Sequence, residues 1–553
     1  MQKVQGLVDR SLLSPLLPNG LLLGAFAFRS SLAPSLVPRT ELLQGVVSGL
    51  SFALGYGFAA AILWCLRMLE LVKQGQPIHL RDMWVRLALT VFLIVAGLMQ
   101  VTDWQNGVRQ AMQMPPLEDY RTLLVAAVAL AVATILLLLG RIFRRAWLIF
   151  ARMMTIALPV RAALLMGFVV ASVLFWSIGS GVLGRGLINM LDASYARLDA
   201  LIPTETSPPA SALKSGTAGS LVSWSSLGAQ GRDHMLAAPD ASAITGLTGQ
   251  PALEPIRVYV GVNSAKTPEQ RAGLALAELQ RTGAFDRGTL VIATPTGTGW
   301  IDQAASQPLE YLLHGDVATV SVQYSYLPSW LSLFVEPERG AETAQEVFRA
   351  VYGHWTALPK DRRPRLFLFG LSLGALNSDL AVDVYDIMGD PFHGALWAGP
   401  PFASRTWNVV VENRVPETPV WRPRYSDGRM FRFTTQDNFL GEGSADWGPL
   451  RIAYLQYPSD PIVFFEPGRV IAPPRIFTAS RPADISPGLH WIPVVSYLQM
   501  ALDMATAAGT PRGFGHVYAA SDYLDAWVAL LEPKGWTPAG IEQLRARLVA
   551  EGL

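Results

Sequence analysis

RLFLFGLSLG, residues 365–374, is the stretch of sequence that decides how the C-terminal half of this chain folds. An apolar strand, Arg365–Phe369, runs directly into G-L-S-L-G, in which Gly370 and Gly374 bracket Ser372. This pattern is typical of a nucleophile elbow, a tight strand-to-helix turn where bulkier flanking residues would collide with backbone. The following helix would direct its first N–H groups at the serine. The motif's position between a strand and a helix predicts that Ser372 is a nucleophile.

Short strands alternate with helices on both sides of this elbow. Such alternation over about 300 residues predicts a mostly parallel sheet flanked by helices. The helical candidates lie near Pro268–Thr282, Ala341–Leu358, Leu373–Met388 and Pro493–Ala507. The predicted strands are Ile256–Val262, Thr289–Thr294, Val317–Gln323, Arg365–Phe369, Ala395–Ala398 and Arg451–Tyr457.

A serine hydroxyl is a poor nucleophile without a histidine base and an orienting acid. In folds with this elbow the acid follows the serine and the histidine comes last. The histidines after Ser372 are His393, His490 and His516, and His393 precedes the best acid candidate. His516 lies in the glycine-rich loop GFGHV ahead of the terminal helices, whereas His490 stands at a helix start as a capping or packing residue would. We therefore predict His516 as the base.

The best candidate for the acid is Asp460. It follows the strand Arg451–Tyr457 in a Pro-Ser-Asp-Pro turn, at the strand end where α/β sheets gather their functional groups. An aspartate before proline is also common in ordinary turns. Asp427, Asp437 and Asp446 precede that strand in irregular sequence, so Asp460 is preferred.

A tetrahedral oxyanion needs two N–H donors. One is expected from Leu373, the residue after the nucleophile. The other is expected from the loop PTGTGW, residues 295–300, where Thr298 and Gly297 are both possible. The alternative is a tight glycine turn without a catalytic part. The loop is not a phosphate loop, because no Gly-Lys-Ser/Thr follows.

The N-terminal half contains five long runs without charges. A bilayer crossing needs about 18–20 apolar residues, and helices of a soluble domain would show polar stripes instead. Five runs in fewer than 200 residues predict a multi-pass transmembrane region with four or five spans. The runs are roughly Ser11–Phe28, Leu42–Leu66, Leu87–Thr102, Thr122–Gly140 and Ala162–Gly184.

The basic residues of the loops predict the orientation of these spans, since cytoplasmic loops are enriched in lysine and arginine. The loops after the second and fourth runs are the richer ones and are expected in the cytoplasm. The catalytic domain then lies on the extracytoplasmic side of the cell (inner) membrane. The first run is interpreted as a retained anchor. The basic residues of the two richer loops are Arg67, Lys73, Arg81 and Arg86, and Arg141, Arg144, Arg145, Arg152 and Arg161.

Composition supports this division and excludes some functions. Hydrophobic residues make up 51% of the chain and charged residues 16%, a balance typical of membrane segments. The net charge of +1 offers no electrostatic basis for binding nucleic acid. Cys65 is the single cysteine, so neither an intramolecular disulfide nor a cysteine metal cluster is expected, and no metal or cofactor is predicted. The predicted domains are a membrane region (1–201), a Ser/Pro/Gly-rich linker (202–254) and a catalytic domain (255–553).

Several further motifs lie along the chain: SLAPSLVPR at 31–39, QG at 44–45, GYG at 55–57, PIRVYVG at 255–261, TGTGW at 296–300, QYSYLPSW at 323–330 and GPP at 399–401. They resemble those of the bacterial α/β-hydrolase family nine, in which a multi-spanning N-terminal region precedes a hydrolase domain. The chain departs from the family pattern at Leu371, where an acidic residue is favoured, and at Ala375-Leu-Asn377. The resemblance covers nearly the whole chain and implies an α/β-hydrolase fold.

Together these features lead us to expect a membrane-anchored serine hydrolase for ester or thioester bonds. Its expected partners are membrane lipids and a lipidic or acylated substrate from the cell envelope; the sequence predicts no oligomeric state. Tyr324, Tyr326 and Trp330 are candidate substrate contacts, although aromatic residues equally serve packing. The alternatives are an acyltransferase that uses the same triad and a non-catalytic membrane scaffold or transporter.

Overall fold

The computed structural model describes residues 16–69, 71–72, 79–201, 207–442 and 445–553. These residues form two compact units. The first comprises Met1–Met190 with Gly468–Pro473 and Ala483–Thr506, and the second comprises Leu191–Pro467, Pro474–Pro482 and Ala507–Leu553. Two short segments from the predicted catalytic domain therefore group with the N-terminal unit. Lys73, the start of the first apolar run (residues 11–15) and the start of the linker (202–206) lie outside the described residues.

The first unit is built from long apolar helices. Four of its described helical segments are long and apolar enough to cross a membrane: Glu41–Arg67, Leu80–Ala111, Thr122–Met154 and Val160–Gly181. Within the described residues, the first apolar run lies in the 14-residue helix Pro18–Ser31, which is about 21 Å long. This helix is shorter than a hydrocarbon core of about 30 Å. The helices are α1 (Pro18–Ser31), α2 (Glu41–Met68), α3 (Leu80–Ala111), α4 (Thr122–Met154), α5 (Val160–Trp176), a π-helix (Ser177–Gly184) and α6 (Arg185–Ala200), which runs on into the second unit.

Large apolar side chains cover the outer faces of these helices. Phe92, Leu123 and Leu130 are each more than 60% exposed to solvent. Helices that are apolar on all sides belong in a protein core or in lipid. Because these side chains face outward, a lipid bilayer is the environment that would bury them, and the first unit is suited to membrane association.

A buried polar network joins a helix from late in the sequence to the first unit. Arg39 and Asp503, both with fully buried side chains, form an ion pair at 2.7 Å. Asp503 lies on the helix Val495–Thr506 and also accepts a hydrogen bond from Ser35. Removing one partner of such a pair would leave an unpaired buried charge, which is costly. The network therefore explains why residues 483–506 group with helices that precede them by more than 400 positions.

The second unit contains a seven-stranded, all-parallel sheet in the order β1-β3-β2-β4-β5-β7-β6. The predicted parallel α/β architecture is confirmed. Strand Phe431–Thr434 at the sheet edge was not predicted, because its residues FRFT form no apolar run. The strands are β1 (Ile256–Val260), β2 (Thr289–Thr294), β3 (Val317–Val322), β4 (Arg365–Leu371), β5 (Gly394–Ala398), β6 (Phe431–Thr434) and β7 (Arg451–Leu455).

Helices connect these strands along the chain and pack against the sheet. One predicted helix is divided: it ends at Leu380 and a short helix begins at Val384, where the Asp383 side chain accepts a hydrogen bond from Tyr385 N. The helices are α7 (Gly228–Leu236), α8 (Ala241–Thr248), α9 (Pro268–Arg281), α10 (Gln303–Leu312), α11 (Ser329–Val335), α12 (Pro337–Ala357), α13 (Leu373–Leu380), α14 (Val384–Ile387), α15 (Arg405–Glu412), α16 (Pro461–Phe464), α17 (Arg475–Thr478), α18 (Val495–Thr506, in the first unit), α19 (Ala520–Leu531) and α20 (Pro538–Ala550).

The segment predicted as a linker carries structure of its own. It contains α7 and α8. Ser215 N donates a hydrogen bond to the carbonyl oxygen of Arg257, a residue of β1. Arg257 in turn forms a fully buried ion pair with Glu310. The glycine-rich helix α7 has no clear apolar period, so the sequence pattern did not predict it.

Candidate active site

Ser372 occupies the sharp turn between β4 and α13. Its φ of 57° and ψ of −127° lie in a sparsely populated region that costs a non-glycine residue free energy. Its N–H donates to the carbonyl oxygen of Ala398 on β5 at 2.9 Å, and the residue is only 3% exposed. The strained backbone and the adjacent strand together fix the direction in which the serine side chain leaves the turn.

The two glycines of the motif are required by close backbone contacts. A Cβ on Gly370 would lie 2.4 Å from the carbonyl oxygen of Gly374. A Cβ on Gly374 would lie 2.3 Å from the carbonyl oxygen of Thr294, at the end of β2. Real Cβ contacts are not this short, so neither position accepts a larger residue without displacing α13 from the sheet.

We expect Gly374→Ala to destabilise the protein by about 1–3 kcal/mol, as overpacking against rigid backbone does. Because α13 would have to move, the reactivity of Ser372 should fall as well. The matched control is Gly353→Ala in α12, where a Cβ has open space and alanine favours the helix. Thermal unfolding of both variants tests this, and an unchanged unfolding temperature for Gly374→Ala would contradict it.

Asp460 and His516 are joined by a short hydrogen bond. His516 Nδ1 lies 2.6 Å from Asp460 Oδ2, with both side chains buried. Asp460 Oδ1 accepts a hydrogen bond from Ile462 N at 2.9 Å and so caps α16. A carboxylate partner places the imidazole proton on Nδ1 and leaves Nε2 as the basic atom. The pair has the arrangement of a general base held by its orienting acid.

The sheet order brings this pair to the elbow. Leu371, Ala398 and Leu455 lie side by side at the carboxyl ends of β4, β5 and β7. The residue after Ala398 is Gly399, where a Cβ would lie 2.6 Å from His516 Cε1. Ser372 and His516 therefore both flank the turn that follows β5.

The basic atom of His516 is buried. Its Nε2 makes no hydrogen bond within the described part of the chain, so a bond to Ser372 Oγ is not formed in this structure. Catalytic hydrogen bonds are often long before substrate binds and tighten in the complex. Among the described residues, His516 Nε2 is therefore a free acceptor beside the turn after β5, which Ser372 also flanks.

Hydrogen bonds from neighbouring segments hold the histidine loop. His516 N donates to Ala507 O at 3.0 Å, and Gly515 N donates to Ser459 Oγ at 3.0 Å. Tyr518 OH donates to Asp460 Oδ2 at 2.8 Å. Sequence reasoning missed Tyr518; its only signal is an aromatic residue two positions after the histidine.

Two further carboxyl groups are buried near the pair. Burial raises the pKa of Asp302, at the start of α10, to about 6, and the nearby Arg512 and His516 partly oppose that rise. Burial also raises the pKa of Asp522 to about 6, opposed by a hydrogen bond from Tyr457 OH. Both groups therefore titrate close to neutral pH. Among the described residues, no group of three or more His, Cys, Asp or Glu side chains is placed to hold a metal ion.

The predicted oxyanion donors differ in their hydrogen bonds. Gly297 N–H donates to Ser329 Oγ at 3.1 Å and is therefore occupied. The N–H groups of Leu373 and Thr298 donate to no protein group in the described ranges. Gly374 lies so close to the end of β2 that a Cβ there would be 3.0 Å from the carbonyl oxygen of Pro295. The residue-295–300 loop therefore begins beside the first turn of α13.

Two of the three predicted substrate contacts, Tyr324 and Tyr326, have described side chains, and these lie in different environments. Tyr324 is buried against Leu373 and Leu376 of α13. Tyr326 is half-buried, and its hydroxyl donates to Asn263 Oδ1 at 2.7 Å. The side chain of Trp330 lies outside the described part of the structure.

The other two late histidines lie in different settings. His393 Nδ1 accepts a hydrogen bond from Leu366 N at 3.1 Å at the start of β4, the end of the strand opposite to Ser372. His490 belongs to the first unit and bonds to the carbonyl of Gly488. Of the three histidines, His516 is the one paired with Asp460.

Comparison with known proteins agrees with this architecture. Residues 256–544, more than half of the chain, match the model of the alpha/beta-hydrolase family, and residues 32–239 match the model of that family's N-terminus. No curated protein and no solved structure matches the chain. The two matches cover the four helices of membrane-spanning length and the whole sheet with its elbow, so the chain belongs to the alpha/beta-hydrolase family, in the branch that the sequence resemblance identified as family nine.

Proposed function

We propose that this protein is a membrane-anchored serine hydrolase that cleaves ester or thioester bonds. Ser372 is its nucleophile, His516 its general base and Asp460 the acid that orients the base. The observation that carries the proposal is the 2.6 Å bond between His516 Nδ1 and Asp460 Oδ2, beside the turn that also anchors the elbow of Ser372. This combination supports the roles of acid and base that a Ser-His-Asp triad assigns to Asp460 and His516.

In the proposed reaction, Ser372 Oγ attacks the acyl carbonyl carbon while His516 Nε2 takes the hydroxyl proton. The tetrahedral intermediate collapses, the bond to the alcohol or thiol breaks, and His516 returns the proton to that leaving group. Water then attacks the acyl-serine with His516 again acting as base, which releases the acid and regenerates Ser372. Asp460 keeps the imidazole in the required tautomer throughout.

The negative charge of each tetrahedral intermediate requires donors that are already in place. We assign Leu373 N–H as one donor, because it is the first amide of α13 and follows the nucleophile directly. Thr298 N–H is preferred over Gly297 N–H as the second, since the Gly297 amide already bonds to Ser329 Oγ. Variants of the residue-295–300 loop test this assignment. If the loop supplies the second donor, these variants should react more slowly with a fluorophosphonate probe.

A lipidic or acylated envelope molecule is the substrate class that we propose. Its support is the apolar, four-span character of the first unit, which would hold the hydrolase unit at a membrane surface. The basic residues that follow the second and fourth apolar runs favour an extracytoplasmic hydrolase unit, and most of them lie within the helices Leu80–Ala111 and Thr122–Met154. A reporter fused after Leu553 that is active only in the cytoplasm would contradict this sidedness.

A fluorophosphonate probe tests the proposed chemistry directly, because it forms a stable bond only with an activated serine. The purified full-length protein in detergent should be labelled at Ser372, and peptide mapping should locate the adduct. Hydrolysis of short-chain and long-chain thioesters then compares the acyl preference. If the folded protein stays unlabelled while a known serine hydrolase reacts in the same buffer, the proposal is wrong.

A further inference from the structure

The carboxylate of Asp460 accepts three hydrogen bonds, and two of them converge on one oxygen. Oδ2 accepts from His516 Nδ1 at 2.6 Å and from Tyr518 OH at 2.8 Å, while Oδ1 accepts from Ile462 N at 2.9 Å. Asp460 is fully buried and Tyr518 is 2% exposed. Because water cannot replace either donor at this depth, each bond contributes directly to the charge distribution of the carboxylate.

The aromatic ring of Tyr518 is fixed independently of its hydroxyl. It stacks on Tyr457 with ring centroids 4.4 Å apart and packs edge-on against His516 at 5.8 Å. Tyr457 is itself held, since its hydroxyl donates to Asp522 and accepts from Ala519 N. Removing only the hydroxyl of Tyr518 would therefore leave the ring and the loop in place.

The hydroxyl of Tyr518 is held in its protonated form beside Asp460. Burial, together with the adjacent negative charge of Asp460, raises the pKa of Tyr518 well above its ordinary value. The hydroxyl thus stays protonated and draws part of the carboxylate charge away from the oxygen that faces His516. A carboxylate that shares its charge stabilises a protonated imidazole less than an unshared one does.

We propose that Tyr518 is a positioning residue of the triad that extends the pH range in which His516 acts as a base toward lower values. The inference rests on the proposed hydrolase function and deepens it. Without the hydroxyl, the undivided charge of Asp460 would stabilise the protonated imidazole more strongly. His516 would then become basic only at a higher pH.

Other ionisable groups surround the pair and must be separated from this effect. Asp302, at the start of α10, interacts electrostatically with His516 and with Arg512. Asp522 lies on α19 and is bonded to Tyr457 OH. Tyr523, also on α19, packs against Tyr518. All of these groups are retained when only the Tyr518 hydroxyl is removed. Their titration therefore contributes equally to the pH profiles of the Tyr518 variant and of a control tyrosine variant, and a difference between the two profiles reports on the Tyr518 hydroxyl.

The test is the rate of fluorophosphonate labelling of the full-length protein as a function of pH. Tyr518→Phe should move the half-maximal pH upward by about half a unit and slow labelling below neutral pH by about threefold. Tyr454→Phe is the matched control, since Tyr454 is a buried tyrosine of β7 whose hydroxyl bonds to nothing among the described residues. Its half-maximal pH should equal that of the wild type.

A second replacement keeps the experiment decisive if Tyr518→Phe folds poorly. Replacement of Tyr518 by 3-fluorotyrosine keeps the ring and the hydroxyl but makes the hydroxyl a stronger donor, so the half-maximal pH should move downward. Equal values for the wild type, the control and either folded Tyr518 variant would overturn the inference. Absence of labelling in the wild type would instead contradict the proposed hydrolase function.

Discussion

Replacing Ser372 by alanine is expected to eliminate covalent labelling and to lower kcat/KM for any ester or thioester that the wild type hydrolyses by on the order of 10⁵-fold or more. The physical reason is that no other hydroxyl can occupy the turn between β4 and α13. The strained backbone at φ 57° is retained by alanine, so the fold should persist. Active-site titration with the fluorophosphonate probe, followed by peptide mapping, measures the effect.

Ser321→Ala provides the matched control for this variant. Ser321 is a buried serine of β3 whose hydroxyl has no hydrogen-bond partner within the described residues, so its loss should leave labelling unchanged. If Ser372→Ala labels as strongly as the wild type, another residue is the nucleophile and our assignment of the site is wrong. Unfolding temperatures of both variants exclude a trivial loss of structure.

Replacing Asp460 by asparagine should lower kcat/KM on the order of 10⁴-fold through the wrong histidine tautomer. The asparagine Oδ1 can still accept from Ile462 N and cap α16, since asparagine and aspartate are comparable caps. Its amide NH₂ would then face His516 Nδ1 and turn that atom into an acceptor. The imidazole proton would move to Nε2, which could no longer accept the proton of Ser372. Labelling rates and hydrolysis rates should fall together.

Asp383→Asn controls for the change of cap alone. Asp383 Oδ1 accepts from Tyr385 N at 2.9 Å at the start of α14, the same i-to-i+2 contact that Asp460 makes with Ile462. Asp383 has no histidine partner in the structure described here, so its variant should retain full activity. Equal activities for the wild type and Asp460→Asn would remove Asp460 from the proposed triad.

The strands of the sheet could be predicted because each carries its signal locally. Thr289–Thr294 was predicted with its observed bounds, and the strand leading to Ser372 was predicted to within two residues. The edge strand Phe431–Thr434 was missed because its residues FRFT form no apolar run, and the short helix α7 was missed because its apolar residues show no helical period. Local pattern predicts a regular element only when its apolar residues stand out from the surrounding sequence.

Helix α18 shows a different limit of local information. Its residues were predicted to be helical, and they are, as Val495–Thr506. Its place in the first unit depends on the Arg39–Asp503 ion pair, whose partners are 464 positions apart. A single sequence contains no local signal for such a contact, because the residues around Arg39 or Asp503 form no pattern that identifies the partner.

By itself, the sequence determined the apolar helices of the first unit, the parallel sheet and the elbow at Ser372, since each follows from residue patterns within a few turns of chain. It also suggested Asp460 and His516 through their order along the chain. Only the tertiary structure joined those two at 2.6 Å, placed His516 beside the turn after β5 and directed Tyr518 OH at the same carboxylate oxygen. Hydrogen bonds between residues separated by more than 50 positions depend on strand order and loop closure, and these are decided by packing of the whole sheet.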